Sequence, residues 1–326
     1  MSTTSAPLST SQLPSPELVR ALVAEAHDRF GSNDEGKNAE YIPALAKVPS
    51  ELFGICVVGT SGVAYAVGDT DCEFSIQSVS KPFVFALVCQ AVGEEEVREK
   101  LGVNSTGLPF NSLVAIERTN DGRTNPMVNA GAIAAASLVP GATADAKWQF
   151  IRDGLSRFAA RRLTLNTEVY RSEAAVNQRN QGIANLLQSY NRIYFDPTQA
   201  TDVYTKQCSL NVTAKDLAVM GATLANGGVN PVSKERIIDS IHCQHVLAVM
   251  VTAGLYENSG EWLYETGLPG KSGVSGGMVT VSPGKGGLGS FAPRLDEAGN
   301  SVKGRLAVKF LSEQLGLNLF ASNPAD

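Results

Sequence analysis

The 326-residue chain reads as an α+β (mixed α/β) protein: an antiparallel sheet built from both termini, flanked by helices, with an all-helical domain inserted. Three observations carry this. Short strand-like runs around turn residues occupy 53–67, and a second set occupies 277–295. Almost everything between about 83 and 255 is patterned for helices with long loops. Strands at both ends with helices between them require the two ends to pair in one sheet.

Taken in order, residues 1–15 read as a disordered tail. Residues 16–30 have helical periodicity, with Ser15 as the cap. Phe53–Val58 and Val63–Val67 are strands around Ser61-Gly62, hence a hairpin. Gly68-Asp69-Thr70-Asp71 turns the chain toward a helix that starts near Ser78, with Pro82 in its first turn. Asn129–Ala136 reads as a small-residue buried helix, and Arg179–Tyr190 and Val212–Leu224 as amphipathic ones. Strands return at Gly277–Val281 and Gly289–Leu295, and 305–320 is a closing helix. The sheet-containing unit is then 16–82 plus 245–326, and the inserted helical domain 83–244.

Composition narrows the function. A 43% hydrophobic chain of this length builds a large core. A net charge of −5, with no long basic run, argues against a nucleic-acid surface. No stretch approaches the roughly 18 apolar residues of a membrane span. The N-terminus has no basic start and no apolar run, so it does not read as a secretory signal. Five widely spaced cysteines without Cys-x-x-Cys fit free thiols in a reducing cytoplasm. His242 and His245 could share a helix face, but no acidic residue stands beside them, so no metal and no cofactor is expected. Gly284, Gly286 and Gly289 satisfy G-x-G-x-x-G, yet a strand follows where a dinucleotide site needs a helix. These glycines read as a flexible connection between strands.

The chemistry centres on Ser78 and Lys81. Residues at i and i+3 share a helix face, so the hydroxyl and the amine can touch. Serine is a poor nucleophile until a base takes its proton, and a neutral lysine can serve. Ser80 points elsewhere. Taken alone, Ser78 is as readily a helix cap, and a second Ser-x-x-Lys at Ser282–Lys285 contains Pro-Gly and reads as a turn. The first copy gains weight from Lys271-Ser272-Gly273 just before a strand. Ser-x-x-Lys early and Lys-Ser-Gly late is the arrangement of penicillin-binding proteins and class A β-lactamases.

Further segments match one family more closely. They are Gly36-Lys37 with Tyr41-Ile42-Pro43, Phe74–Lys81, Asn125–Ala132, Val169–Glu173 with Arg179-Asn180, Asp202–Ser209, Ala222–Gly228, Ala253–Tyr256 and Lys271–Gly277. In this order they resemble a bacterial-type glutaminase, a family with the serine β-lactamase/DD-peptidase-like fold. The resemblance spans roughly residues 30 to 320. It implies hydrolysis of L-glutamine to L-glutamate and ammonia, and a homodimer or homotetramer. It places substrate contacts on Ser78, Asn129, Glu173, Asn180, Tyr204, Tyr256 and Val274. Pro82 departs from the aliphatic residue usual after the lysine. Ser209-Leu210-Asn211 imitates the β-lactamase Ser-x-Asn motif but ranks below Tyr204.

Each role follows from the chemistry. Ser78 attacks the carboxamide and forms a glutamyl ester. Lys81 must be neutral, and lowering it from about 10.4 to near 7 costs about 4–5 kcal/mol. Burial and the like charge of Lys271 are the means. Tyr204 or Tyr256 relays a proton to the leaving ammonia. The backbone N–H groups of Ser78 and Val274 hold the oxyanion. Glu173 takes the substrate ammonium, and Asn129 and Asn180 the remaining polar groups. Standing alone, Glu173 would read as a surface carboxylate, the asparagines as loop or capping residues, and the tyrosines as core. The rivals are a β-lactam-interacting hydrolase or transpeptidase, a non-catalytic ligand-binding module on the same fold, and an esterase. The first calls for an export signal, the second for a membrane segment or fused output domain, the third for an apolar pocket.

Overall fold

A computed structural model of the chain describes residues 12–322. Residues 1–11, most of the expected tail, lie outside the described residues. Ser15 does cap the first helix, its side chain accepting from Leu18 N.

The chain begins with α1 (Pro16–Phe30), the single turn α2 (Pro43–Ala46) and the hairpin β1 (Gly54–Gly59) and β2 (Ala64–Gly68). β3 (Phe74–Ser75) passes through a 3-10 turn, Gln77–Val79, into α3 (Ser80–Val92). Then come α4 (Glu94–Leu101), α5 (Val114–Glu117), α6 (Asn129–Leu138), α7 (Ala144–Phe158), α8 (Thr167–Ala174), α9 (Gln178–Ser189) and α10 (Pro197–Cys208). After β4 (Asn211–Val212) follow α11 (Ala214–Ala225), α12 (Ser240–Ala253), a 3-10 turn at Tyr256–Asn258 and α13 (Ser259–Thr266). β5 (Gly270–Ser272), β6 (Gly277–Ser282), β7 (Gly286–Phe291) and α14 (Val302–Gln314) complete the fold.

The sheet has five strands in the order β2-β1-β7-β6-β5. Every neighbouring pair is antiparallel. The two ends of the chain meet at β1 and β7, where Cys56 faces Gly289. This is the expected β-lactamase-like architecture. α1 and α14 cover one face of the sheet, and α11 covers the other. Val19, Ile55, Val57, Trp262 and Leu311 fill the first interface. The larger core lies among the helices, around Phe83, Ile133, Phe158 and Met220. Burying side chains of this size contributes about 1.5–3 kcal/mol each. Pro82 is buried in the first turn of α3, where its missing N–H breaks no helical bond.

Four elements differ from the pattern. The strand expected at 289–295 runs Gly286–Phe291. Beyond it the chain leaves the ladder after Ala292 N bonds Gly276 O, and Pro293 has no N–H to continue. The closing helix is Val302–Gln314 rather than 305–320, because the Ser301 hydroxyl accepts from Gly304 N and caps it early. Val212 begins no helix; it pairs with Phe74 across the two-stranded β3–β4 ribbon.

The fourth is the glycine run, which is no flexible connection. Gly286, Gly287 and Gly289 lie inside buried β7. A Cβ on Gly287 would sit 2.2 Å from Ala222 N, and one on Gly289 2.1 Å from Ala214 O. Only glycine lets α11 lie directly on the strand. The second Ser-x-x-Lys is the β6–β7 turn, with the Lys285 amine donating to Gly316 O at 2.7 Å.

Candidate active site

Ser78 sits where β3 turns into α3. Phe74 anchors the approach by stacking on Phe291, with centroids 4.0 Å apart and planes 5° off parallel. Gln77 then takes a left-handed backbone, φ 48°, which is strained for a residue with a side chain. The turn's own bonds begin with Val79 N donating to Ile76 O, so Ser78 N–H stands outside them. Nor does Ser78 cap α3: the cap position is Val79, with no side-chain bond.

The end of β5 comes up against this turn. A Cβ on Gly273 would lie 3.1 Å from Ile76 O, so the absence of a side chain sets the approach. The turn after Gly273 closes by Gly276 N donating to Gly273 O. Val274 N–H takes no part in that closure and has no backbone partner among the described residues. The structure therefore brings Ser78 and the Lys271–Val274 segment together, although some 200 residues separate them in sequence.

Lys81, one turn along α3, is 1% exposed. Its amine donates to Asn129 Oδ1 at 2.8 Å, and no hydrogen bond joins it to Ser78. Asn129 opens α6, and its Nδ2 donates to Asn180 Oδ1 on α9 at 2.9 Å. Tyr204 of α10 donates its phenol to Asn129 Oδ1 at 3.1 Å. Asn129 thus links four elements at one point. Burial pulls the Lys81 amine down to about 8, while Cys208 and Glu173 pull the other way. Lys271 is fully buried, lies 4.0 Å over the Tyr256 ring and donates to Ser272 O. Burial, then the neighbouring Lys81, pushes its amine well below the usual lysine range. The like-charge effect anticipated for Lys81 thus falls on Lys271.

Tyr256 is the second left-handed residue here, φ 59°. Its buried hydroxyl lies beside those of Ser78 and Ser272 without a well-aligned hydrogen bond. Burial raises both phenols, Tyr204 and Tyr256, so both stay protonated. Glu173 on α8 is 8% exposed and accepts from Gln77 Nε2 at 3.2 Å. Burial pushes its carboxyl up to about 7, against the Gln77 hydrogen bond and Lys81. Val274 lines a surface cavity with Tyr41, Phe110 and Leu295.

The Ser-x-Asn imitation is structural. Ser209 bonds Thr205 O, and Asn211 accepts from Asn166. His242 is buried 3.6 Å from Glu94, a residue distant in sequence. Among the described residues no group of three or more His, Cys, Asp or Glu side chains could hold a metal ion. Nor is any described helix long and apolar enough to cross a membrane. Sequence reasoning missed Gln77, which reaches Glu173, and Asn300, which accepts from the Ser272 hydroxyl at 2.5 Å. Neither carries a residue-type signal. Tyr41 stood in a matching segment and was not singled out.

The glutaminase family model matches residues 36–320. The chain belongs to the glutaminase family. Glutaminase 2 of Yersinia pestis is 65% identical over 97% of this chain and 93% of its own length. The Brucella canis glutaminase is 50% identical over 94% of this chain and 97% of its own. The solved structure of the probable glutaminase ybaS superposes with a TM-score of 0.93 at 42% identity, covering 95% of this chain and 100% of that one. Bacillus subtilis glutaminase YbgJ, solved as a covalent complex with 5-oxo-L-norleucine, superposes at 0.82 with 32% identity, over 93% and 98% of the two chains. Glutaminases are amidohydrolases, and this chain is an enzyme of that kind.

Proposed function

We propose that the chain hydrolyses L-glutamine to L-glutamate and ammonia through a glutamyl ester on Ser78, with neutral Lys81 as general base. The observation that carries this is that the end of β5 packs against the Ser78 turn, beside a buried lysine lowered to about 8 and with the Ser78 and Val274 N–H groups unengaged in backbone bonds. Ser78 Oγ attacks the carboxamide carbon as Lys81 takes the hydroxyl proton. The Ser78 and Val274 N–H groups hold the oxyanion. Lys81, relayed through Tyr256 or Tyr204, protonates the departing nitrogen, and ammonia leaves. Water then attacks the ester by the same route in reverse. The covalent complex of YbgJ, formed with 6-diazo-5-oxo-L-norleucine, supports a nucleophilic reading. Five free cysteines suit a reducing compartment, and we place the enzyme in the cytoplasm as a homodimer or homotetramer.

The test offers glutamine, asparagine and a β-lactam and measures ammonia or ring opening. In parallel, the diazoketone adduct is mapped by peptide mass spectrometry. We expect turnover of glutamine and one adduct, on Ser78. An adduct on another residue, or turnover of the β-lactam alone, refutes the proposal.

Glu173 binds the substrate ammonium as its carboxylate. With its carboxyl near 7, KM falls as pH rises through that value. Glu173→Gln raises KM about 10–100-fold, as expected for a charge-assisted hydrogen bond, and flattens that pH dependence. A variant whose KM keeps the wild-type pH profile removes Glu173 from this role.

A further inference from the structure

We propose that Ser80 and Gln207, neither of which touches substrate, form a positioning clamp that aims the Ser78 N–H into the oxyanion site. The proposal rests on the Ser78 mechanism above and deepens it. The C=O of Gln77 and the N–H of Ser78 belong to one peptide unit. That unit is planar and trans, so the carbonyl and the N–H point in opposite directions. Whatever holds the Gln77 carbonyl therefore sets the direction of the Ser78 N–H.

Two donors hold it, and both come from Ser80. Its backbone N–H bonds Gln77 O, and its hydroxyl donates to the same oxygen at 2.7 Å. A serine hydroxyl has one hydrogen, so with that hydrogen committed the oxygen can only accept. Gln207 Nε2, on α10, supplies the matching donor at 2.9 Å. Ser80 and Gln207 are fully buried and Gln77 is 3% exposed, so water does not compete for these groups.

A serine bonding the carbonyl three residues back is common at helix starts. Two features set this one apart. The carbonyl belongs to Gln77, whose left-handed φ of 48° persists only where its surroundings over-determine it. The hydroxyl is in turn fixed from a different helix, by a residue three positions after Tyr204 and so on the same face of α10. The same backbone setting directs the Gln77 side chain to Ser75 Oγ and Glu173 Oε2, at 3.3 and 3.2 Å. One clamp therefore positions the oxyanion donor and braces the ammonium site.

The experiment compares Ser80→Ala, Gln207→Met, their double mutant and Ser80→Thr in the full chain. It measures kcat and KM for glutamine, the rate of Ser78 labelling by 6-diazo-5-oxo-L-norleucine, and Tm. Losing one oxyanion donor outright costs about 10²–10³ in kcat. We expect a misaimed donor to lower kcat about 10–100-fold, with labelling slowed in proportion and KM within about threefold. The double mutant should be no worse than Ser80→Ala, since both act through one hydroxyl. Ser80→Thr, which keeps the hydroxyl, should recover most of kcat.

A lower Tm with unchanged kcat overturns the clamp and leaves a packing role. So does a double mutant whose loss is the product of the singles, or a Ser80→Thr as impaired as Ser80→Ala. If Ser80→Ala does not fold, Gln207→Met decides alone, and wild-type kcat in it overturns the clamp. A wild type unlabelled at Ser78 refutes the nucleophile instead, so the two failures are distinguishable.

Discussion

Ser78→Ala lowers glutamine turnover by about 10⁴-fold or more and leaves the fold as it is. Removing the nucleophile of an acylating enzyme costs on this scale, because no other group can start the covalent route. The structure explains why stability should be spared. Ser78 caps no helix, and among the described residues its hydroxyl serves no element as a structural hydrogen bond. Its turn is held instead by backbone bonds, by Ser80 and by the Phe74–Phe291 stack. Steady-state ammonia release and a melting curve on the same preparation check both halves. Residual turnover within a few-fold of wild type would remove Ser78 from the mechanism. Lost turnover with a collapsed Tm would show a structural role instead.

Lys81→Met has the second largest effect, and it acts in two directions. Turnover falls about 10²–10⁴-fold, the span expected for losing a general base. Stability rises. The folded enzyme holds this amine at about 8 against an ordinary 10.5, so burial favours the neutral form. A folded value below the unfolded one makes the lysine a penalty that is fully present below about 8. The penalty fades as pH climbs from 8 to 10.5. At pH 7 its removal contributes about 3 kcal/mol, and a buried methionine fills the same volume. Thermal melts of both proteins at pH 7 and near 10.5 check the sign: the gain should be large at the first and vanish at the second. In wild type, kcat/KM should rise with pH through about 8, as the base loses its proton. A profile flat across that range, or a variant less stable at pH 7, contradicts the assignment.

How much was legible depends on what each residue needed in order to be recognised. Ser78 and Lys81, the proposed nucleophile and base, announce themselves because such a pair must be of particular types at a helical spacing. Lys271-Ser272-Gly273 adds a second such constraint. Strands at both ends dictated the sheet without any motif. Asn129, Glu173, Asn180, Tyr204 and Tyr256 are different. Taken singly they resemble capping, surface or core residues, and only the family resemblance picked them out. The left-handed backbone of Gln77 was invisible, since no side-chain type marks it. Gln207 was invisible for another reason: its partner lies 127 positions away. The glycines of β7 were misread because their necessity comes from α11, which sequence order does not bring alongside.

That bare strand has a mechanical consequence. Where β7 carries no side chains, helix and sheet meet main chain to main chain, a joint with no soft layer to yield. α11 follows β4 directly, β4 pairs with β3, and β3 leads into the turn that carries Ser78, the proposed nucleophile. Val274, the second oxyanion donor in the proposed mechanism, follows the end of β5 in the five-stranded sheet. Both halves of the proposed cradle for the developing negative charge are thus referenced to one stiff seam.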